Sequence, residues 1–149
     1  MIIELAHGKD KQEIAKLDSH IQPARLDECI WNSQVYVLKD DSIKDGGQNH
    51  SLKDPVVGVL RYSLFWQSIP FLDLLYIDEA YRGKGFGSRM MSEWEQSMRI
   101  LGYKHVMTST QADETAWRFY EKLGYCKVGG FLPPEQDADE WIYLKQLGD

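Results

Sequence analysis

The stretch Phe71-Leu72-Asp73-Leu74-Leu75-Tyr76-Ile77 is followed, after Asp78 to Tyr81, by Arg82-Gly83-Lys84-Gly85-Phe86-Gly87. An apolar run gives way to a basic glycine loop. Beyond it Met90, Met91, Trp94, Met98 and Leu101 recur at helical spacing, so the loop is expected to open a helix. The first amides of a helix lack intrahelical partners, and the macrodipole adds about half a positive charge there. Gly83, Gly85 and Gly87 let an anion approach the backbone and permit positive φ, while Arg82 and Lys84 add charge. Strand, glycine turn and helix together make an anion-binding unit.

Spacing narrows its kind. A P-loop needs Gly-Lys followed by Ser or Thr, but Gly85 follows Lys84. A dinucleotide fingerprint needs G-x-G-x-x-G and an acidic residue about twenty positions later. Here the pattern is G-x-G-x-G, and Val106 to Thr110 holds no carboxylate.

Outward from this unit, Val56 to Trp66 is β-branched and aromatic, and should pair antiparallel with a strand starting at Ile69 or Pro70 after a Gln67-Ser68 turn. Nearer the N-terminus, Ile2 to Leu5 reads as a strand and Lys11 to Leu17 as a helix. Pro23 opens a second helix with Leu26, Cys29, Ile30 and Trp31 on its apolar side, and Gln34 to Leu38 alternates as a strand. Lys39 to Pro55 is polar and is expected to be a long mobile hairpin loop. Downstream, Gly102 stops the long helix, and His105 to Thr110 should lie parallel to the Phe71 strand through a right-handed crossover. Asp113 to Leu123 is amphipathic, with Ala116, Phe119, Tyr120 and Leu123 on one face and Gly124 at its end. Tyr125 to Phe131 and Trp141 to Leu144 supply the last strands, joined by the acidic Leu132 to Asp139 connection.

A chain of 149 residues, 43% hydrophobic, suits one domain over residues 1–149. No apolar run approaches a membrane span and the start lacks a signal-like core, so a cytoplasmic protein without a membrane partner is expected. A net charge of −6 argues against nucleic acid as partner. Cys29 and Cys126 have no C-x-x-C or His-rich neighbourhood; free, mostly buried thiols and no metal site are expected.

Arg82, Gly85 and Gly87 fill the R/Q-x-x-G-x-G/A signature, and the loop resembles motif A of the GNAT family of N-acetyltransferases. Ala116-Trp117-Arg118-Phe119-Tyr120-Glu121-Lys122-Leu123-Gly124-Tyr125 is similar to that family's A-x-x-x-Y-E-K-L-G-F segment, with Tyr125 in place of Phe. The resemblance implies an α/β (α+β) fold: a mixed, largely antiparallel sheet of six to seven strands with a splayed parallel central pair, flanked by about four helices. It also implies acetyl-CoA as cosubstrate. The backbone near Leu75, Tyr76 and Ile77 would bond the pantetheine amides, and the amides of Arg82, Gly83, Lys84, Gly85, Phe86 and Gly87 the pyrophosphate. Tyr120 is the family's position for the group beside the thioester sulfur. Asp113 stands where the family often has an Asn that contacts the cofactor, and Glu79 where it often has Pro.

Asp73 interrupts an apolar strand, which is costly unless the carboxylate is paired or reaches a cleft. It lies near the family's acidic base; a solvated strand start is the other reading. Glu79 and His105 are weaker candidates. Tyr120 likewise reads as a core-face tyrosine or as the group at the sulfur. Trp31, Tyr62, Phe65 and Trp66 offer aromatic surface for an acceptor, and Glu135, Asp137, Asp139 and Glu140 could attract an amine. The function expected is acetyl transfer to an amine of a small molecule or peptide. A non-catalytic acyl-CoA sensor and a phosphate-loop nucleotide binder are the alternatives, and a homodimer is left open.

Overall fold

The computed structural model describes residues 1–42 and 54–148; most of the expected Lys39 to Pro55 loop lies outside the described residues. Along the chain run β1 (Ile2–Leu5), α1 (Lys11–Leu17), α2 (Pro23–Trp31), β2 (Val35–Lys39), β3 (Val56–Phe65) and β4 (Ile69–Ile77). α3 (Phe86–Ile100), β5 (His105–Gln111), α4 (Ala116–Lys122), β6 (Cys126–Phe131) and β7 (Glu140–Gln146) follow. The sheet has seven strands in the order β1-β2-β3-β4-β5-β7-β6. β4 and β5 are parallel, Phe71 facing Met107 and Leu72 facing Thr108, because the helix-length α3 connection carries the chain back to the starting end. The β1–β2, β2–β3, β5–β7 and β6–β7 pairs are antiparallel. This is the mixed sheet expected from the sequence. None of the helices described is long and apolar enough to cross a membrane.

The chain divides into two compact units. The first comprises Met1–Tyr62 and Leu74–Trp94. Its core joins Ile14 of α1 and Leu26 and Cys29 of α2 to Val35, Val37 and Val59 of the strands, with Leu17, Ile30 and Leu74 packed against them. Trp31 is 88% exposed, contrary to the expected apolar side of α2. Leu26, Cys29 and Ile30 share one face at i, i+3 and i+4, and the next residue turns about 100° further round, out of that stripe. Tyr62 is buried with its ring 5.7 Å from that of Trp94, so it is core rather than acceptor surface. Lys39 belongs to β2 rather than to a loop. Its ammonium is buried between Glu4 at 2.7 Å and Asp10 at 3.0 Å, which supplies the partners a buried charge requires.

The second unit comprises Ser63–Asp73 and the chain from Glu95 onward. Trp66 and Gln67 form its hairpin turn with φ of 53° and 55°, one residue earlier than Gln67-Ser68, closed by the Ser68 amide on the Phe65 carbonyl at 2.9 Å. Leu101 is exposed rather than continuing the apolar stripe. The helix has already ended: Gly102, at φ 92°, donates to Arg99 O and Tyr103 to Met98 O, a Schellman cap that leaves Leu101 pointing outward. α4 starts at Ala116, not Asp113, since Glu114 N–H bonds back to the Gln111 carbonyl in a turn. β6 is exposed along its whole length at the sheet edge, so Cys126 is an exposed thiol while Cys29 is buried.

Candidate active site

In the first unit the end of β4 is held before the glycine loop begins. Asp78 accepts the Ala80 amide at 3.0 Å, capping a 3-10 turn over Glu79–Tyr81, and its own amide donates to Val57 O. Glu79 is therefore a turn residue, and it is exposed. The Tyr81 hydroxyl donates to Asp40 at 2.7 Å, tying the turn to the residue after β2. Bonds from the Ser42 hydroxyl and then from Tyr81 hold the Asp40 carboxyl down at about 2. Gly83 and Gly85 follow at φ 73° and 84°, and nothing lies within 4 Å of where a Cβ would stand on either. The backbone, not crowding, requires glycine here.

α3 then starts at Phe86, with Arg89 N–H bonded to the Gly85 carbonyl at 3.1 Å. Helix geometry leaves the amides of Phe86, Gly87 and Ser88 without intrahelical acceptors at the positive end of the dipole. The cationic side chains fold back. Arg82 Nε donates to the Ile77 carbonyl at 2.7 Å with its guanidinium 5.1 Å from the Tyr76 ring centre, and Lys84 Nζ lies 5.8 Å from that of Tyr81. Ile77, one of the positions whose backbone is expected to serve pantetheine, thus has its carbonyl bonded by Arg82 of the same chain.

In the second unit Tyr120 is fixed from several sides. Gly124, at φ 93°, donates to Glu121 O, and Tyr125 N–H donates to Tyr120 O at 3.1 Å, a Schellman cap that immobilises the last turn of α4. The Leu-Gly-Tyr end of the motif thus has a local mechanical role. The Tyr120 ring packs edge-on to Phe119 at 5.2 Å and to Tyr125 at 5.8 Å. Burial pushes its hydroxyl up to about 12, against an opposing hydrogen bond with the Thr108 side chain. Thr108, itself buried, donates to the Leu72 carbonyl at 3.2 Å.

Asp73 opens onto a cavity of about 460 Å³ that lies wholly in this unit. Phe65, Trp66, Phe71 and Phe131 give it aromatic walls. Asp73 and Glu140 are its carboxylates; Ser63 and Ser109 add hydroxyls and Ile142 an aliphatic floor. The register explains the grouping. Leu72, Thr108 and Tyr143 are cross-strand neighbours on the face where Tyr143 OH donates to Glu121 of α4, so Phe71, Asp73, Ser109 and Ile142, each one residue away, point to the other face. Asp73 is exposed where it lines this cleft, so its carboxylate does not bear the cost of full burial within β4.

Of the expected acceptor residues, Phe65, Trp66 and Glu140 line this cavity. Glu135, Asp137 and Asp139 lie on the exposed connection between β6 and β7, Asp113 is exposed before α4, and His105 is exposed at the start of β5. Ser109, Phe131 and Ile142 carried no sequence signal; only strand register brings them together. Among the described residues no cluster of three or more His, Cys, Asp or Glu could hold a metal.

A family model described as the acetyltransferase (GNAT) family matches residues 10–125, spanning both the glycine loop and α4. The chain belongs to the GNAT acetyltransferase family. N-alpha-acetyltransferase 30 of Schizosaccharomyces pombe is 31% identical to this GNAT chain over 58 residues, 38% of the chain and 39% of the relative. The chain thus matches only about two fifths of that relative's length. Ard1 of Thermoplasma volcanium superposes with a TM-score of 0.77 at 19% identity, over 99% of this chain and 98% of that one. An aminoglycoside 6'-N-acetyltransferase solved with coenzyme A gives 0.76 at 17% identity, over 100% and 98%. At these identities the solved structures establish a shared GNAT fold.

Proposed function

We propose that this GNAT protein transfers the acetyl group of acetyl-CoA to a primary amine of a small molecule or peptide. The observation that carries the reading is Asp73: an apolar strand places a carboxylate in an aromatic cavity large enough for an amine. An acyl-CoA sensor has no need of a base in a second cavity. The loop residues fit the cosubstrate, since Gly83 and Gly85 are open above the backbone and the first amides of α3 are available to a pyrophosphate.

When bound, acetyl-CoA supplies an acetyl carbonyl activated by sulfur; the amine nitrogen bonds to that carbon and the C–S bond breaks. Asp73 takes a proton from the incoming ammonium, directly or through a water, leaving a lone pair for attack. The nitrogen loses a second proton as the amide forms, and the sulfur leaves as the thiol with one proton gained. Tyr120 donates a hydrogen bond to the departing sulfur and keeps its own proton, because its hydroxyl is far weaker an acid than a thiol. Arg82, held on Ile77 O and Tyr76, keeps the end of β4 in shape, the backbone that would bond the pantetheine arm.

The test is acetyl-CoA turnover across a panel of amines, read as free thiol. Acceptor-dependent release is expected. Tight CoA binding without it would favour the sensor.

A further inference from the structure

Tyr120 owes its place to side chains outside its own helix. Tyr125 stands where the family segment has Phe, and its ring packs edge-on to Tyr120 at 5.8 Å. Tyr125 is itself buried, and among the described residues its hydroxyl makes no well-formed hydrogen bond. Burial, and after it the charge of Glu95, push that hydroxyl well above the ordinary tyrosine value, so it stays neutral. With no polar anchor of its own, the ring is held by what packs on it.

What packs on it is a largely buried ion pair. Lys145 of β7 has its Nζ 5.6 Å from the centre of the Tyr125 ring, and its Cε lies 3.6 Å from where a Cβ on Gly124 would stand. Nζ donates to both carboxylate oxygens of Glu95 on α3, at 2.6 and 3.0 Å, and the Glu95 side chain is 5% exposed. Arg99, one turn further along α3, is spent instead on the Leu147 carbonyl at 2.8 Å. Two residues before Lys145, on the same face of β7, Tyr143 donates to Glu121, the neighbour of Tyr120, at 3.2 Å. β7 therefore grips the last turn of α4 at two points, and Glu95 fixes one of them.

A buried ion pair is a poor source of stability, because desolvating two charges offsets most of their attraction; two oxygens on one ammonium, carried by a helix and a strand, do fix a position. Resting on the acetyl-transfer reading above, in which Tyr120 bonds the departing sulfur, we propose that Glu95 and Lys145 are positioning residues for the Tyr120 hydroxyl. They act through Tyr125 rather than on the substrate. Glu95 holds Lys145 on the Tyr125 ring, and Tyr125 sets the tilt of Tyr120 at the end of α4, through the ring contact and through its amide on the Tyr120 carbonyl at 3.1 Å. A hydrogen bond weakens steeply once its angle is off, and the sulfur gains charge only in the transition state, so a displaced Tyr120 lowers kcat and leaves CoA binding as it was.

The experiment measures kcat and the KM for acetyl-CoA by thiol release, with the fastest of n-butylamine, 2-phenylethylamine and glycylglycine as acceptor, and CoA affinity by calorimetry. The variants are Glu95→Gln and Glu95→Gln/Lys145→Met, each also made on a Tyr120→Phe background. Glu95→Gln keeps the shape and lets Lys145, 21% exposed, turn to solvent; the double variant buries no unpaired charge, so a folded form is at hand even where the single variant melts early. Either is expected to lose about 5- to 30-fold in kcat, with KM and CoA affinity within about twofold of wild type. On the Tyr120→Phe background the same changes are expected to cost less than about twofold, since the hydroxyl they position is gone. A kcat within about twofold of wild type in the folded variants overturns the proposal. So does a loss that persists in full without the Tyr120 hydroxyl, the mark of a purely structural pair. A slowed Tyr120→Phe beside an unaffected Glu95→Gln sinks this inference alone, whereas a Tyr120→Phe that turns over like wild type, or a wild type that releases no acceptor-dependent thiol, sinks the reading beneath it and the inference with it.

Discussion

Replacing Tyr120 with Phe removes one hydroxyl from a buried ring and separates two ways that hydroxyl could act. Burial holds it at about 12, whereas a thiol titrates near 8.5. Passing the proton to the departing sulfur would run uphill by about 3.5 units, or roughly 5 kcal/mol. A hydrogen bond that strengthens as the sulfur gains charge is instead worth about 1.5–3 kcal/mol. The expected loss in kcat is therefore about 10- to 100-fold, with CoA affinity by titration calorimetry changed by no more than about twofold. The hydroxyl stays protonated well above neutral pH, so wild type and variant should show the same alkaline limb below pH 10. Stability supplies a second readout. From about pH 10 the unfolded chain gives up this proton while the folded chain keeps it until about 12, so wild type loses up to roughly 2–3 kcal/mol across that window. The variant lacks that loss. A kcat within about twofold of wild type would return Tyr120 to the role of a core ring, and a limb near pH 8–9 that vanishes in the variant would refute hydrogen bonding in favour of proton donation.

Gly85→Glu forces a side chain into φ 84°, at about 1–2 kcal/mol, and sets a carboxylate beside the pyrophosphate; CoA affinity should fall at least about tenfold by calorimetry, and undiminished affinity would remove the loop from the site. Asp73→Asn should lower kcat by about 100-fold near neutral pH, with the deficit narrowing near pH 10 as free amine appears in solution; a deficit that does not change with pH would argue against a base. In Gly58→Ala the new Cβ would sit 2.9 Å from Ile77 Cδ1 and 3.0 Å from Leu38 Cβ, so a loss of about 1–3 kcal/mol is expected in thermal melts, and an unchanged melt would show that the β2–β3 contact can yield. Asp40→Asn should flatten acid unfolding: the wild-type carboxyl, at about 2 when folded and near 3.9 unfolded, contributes stability above pH 4 that fades as pH falls toward 2, and equal urea midpoints in both proteins across that window would contradict the role of the Tyr81 and Ser42 bonds.

Local chemistry made most elements readable. Pro23, Gly102 and Gly124 punctuate the helices where the structure ends or begins them, and Met90, Met91, Trp94 and Met98 are all buried as their spacing required. The errors fall at element ends. Trp31 and Leu101 are apolar residues carried past the last packed turn, and periodicity cannot register where a helix stops touching its neighbours. Lys39 looked like loop because its burial depends on Glu4 and Asp10, distant in sequence. The Trp66-Gln67 turn was misplaced by one residue because neither type favours left-handed φ. The glycine loop and the α4 segment were legible as local structure because each is a contiguous motif, within the residues that the GNAT family model matches. The cavity was not, because its walls come from β4, β5, β6, β7 and a hairpin that only the register aligns.

The posture of Arg82 and Lys84 has a bearing on how the loop would hold the anion proposed for it. The guanidinium is bonded to the Ile77 carbonyl and both cations lie by tyrosine rings, yet Arg82 and Lys84 remain exposed, so their charge stays at the surface of the loop. An anion held by this loop, as proposed for CoA, would therefore be gripped less tightly as ionic strength rises. The ring contacts restrict where those charges sit without removing them, so the loop combines backbone fixed by positive φ with cations of restricted posture.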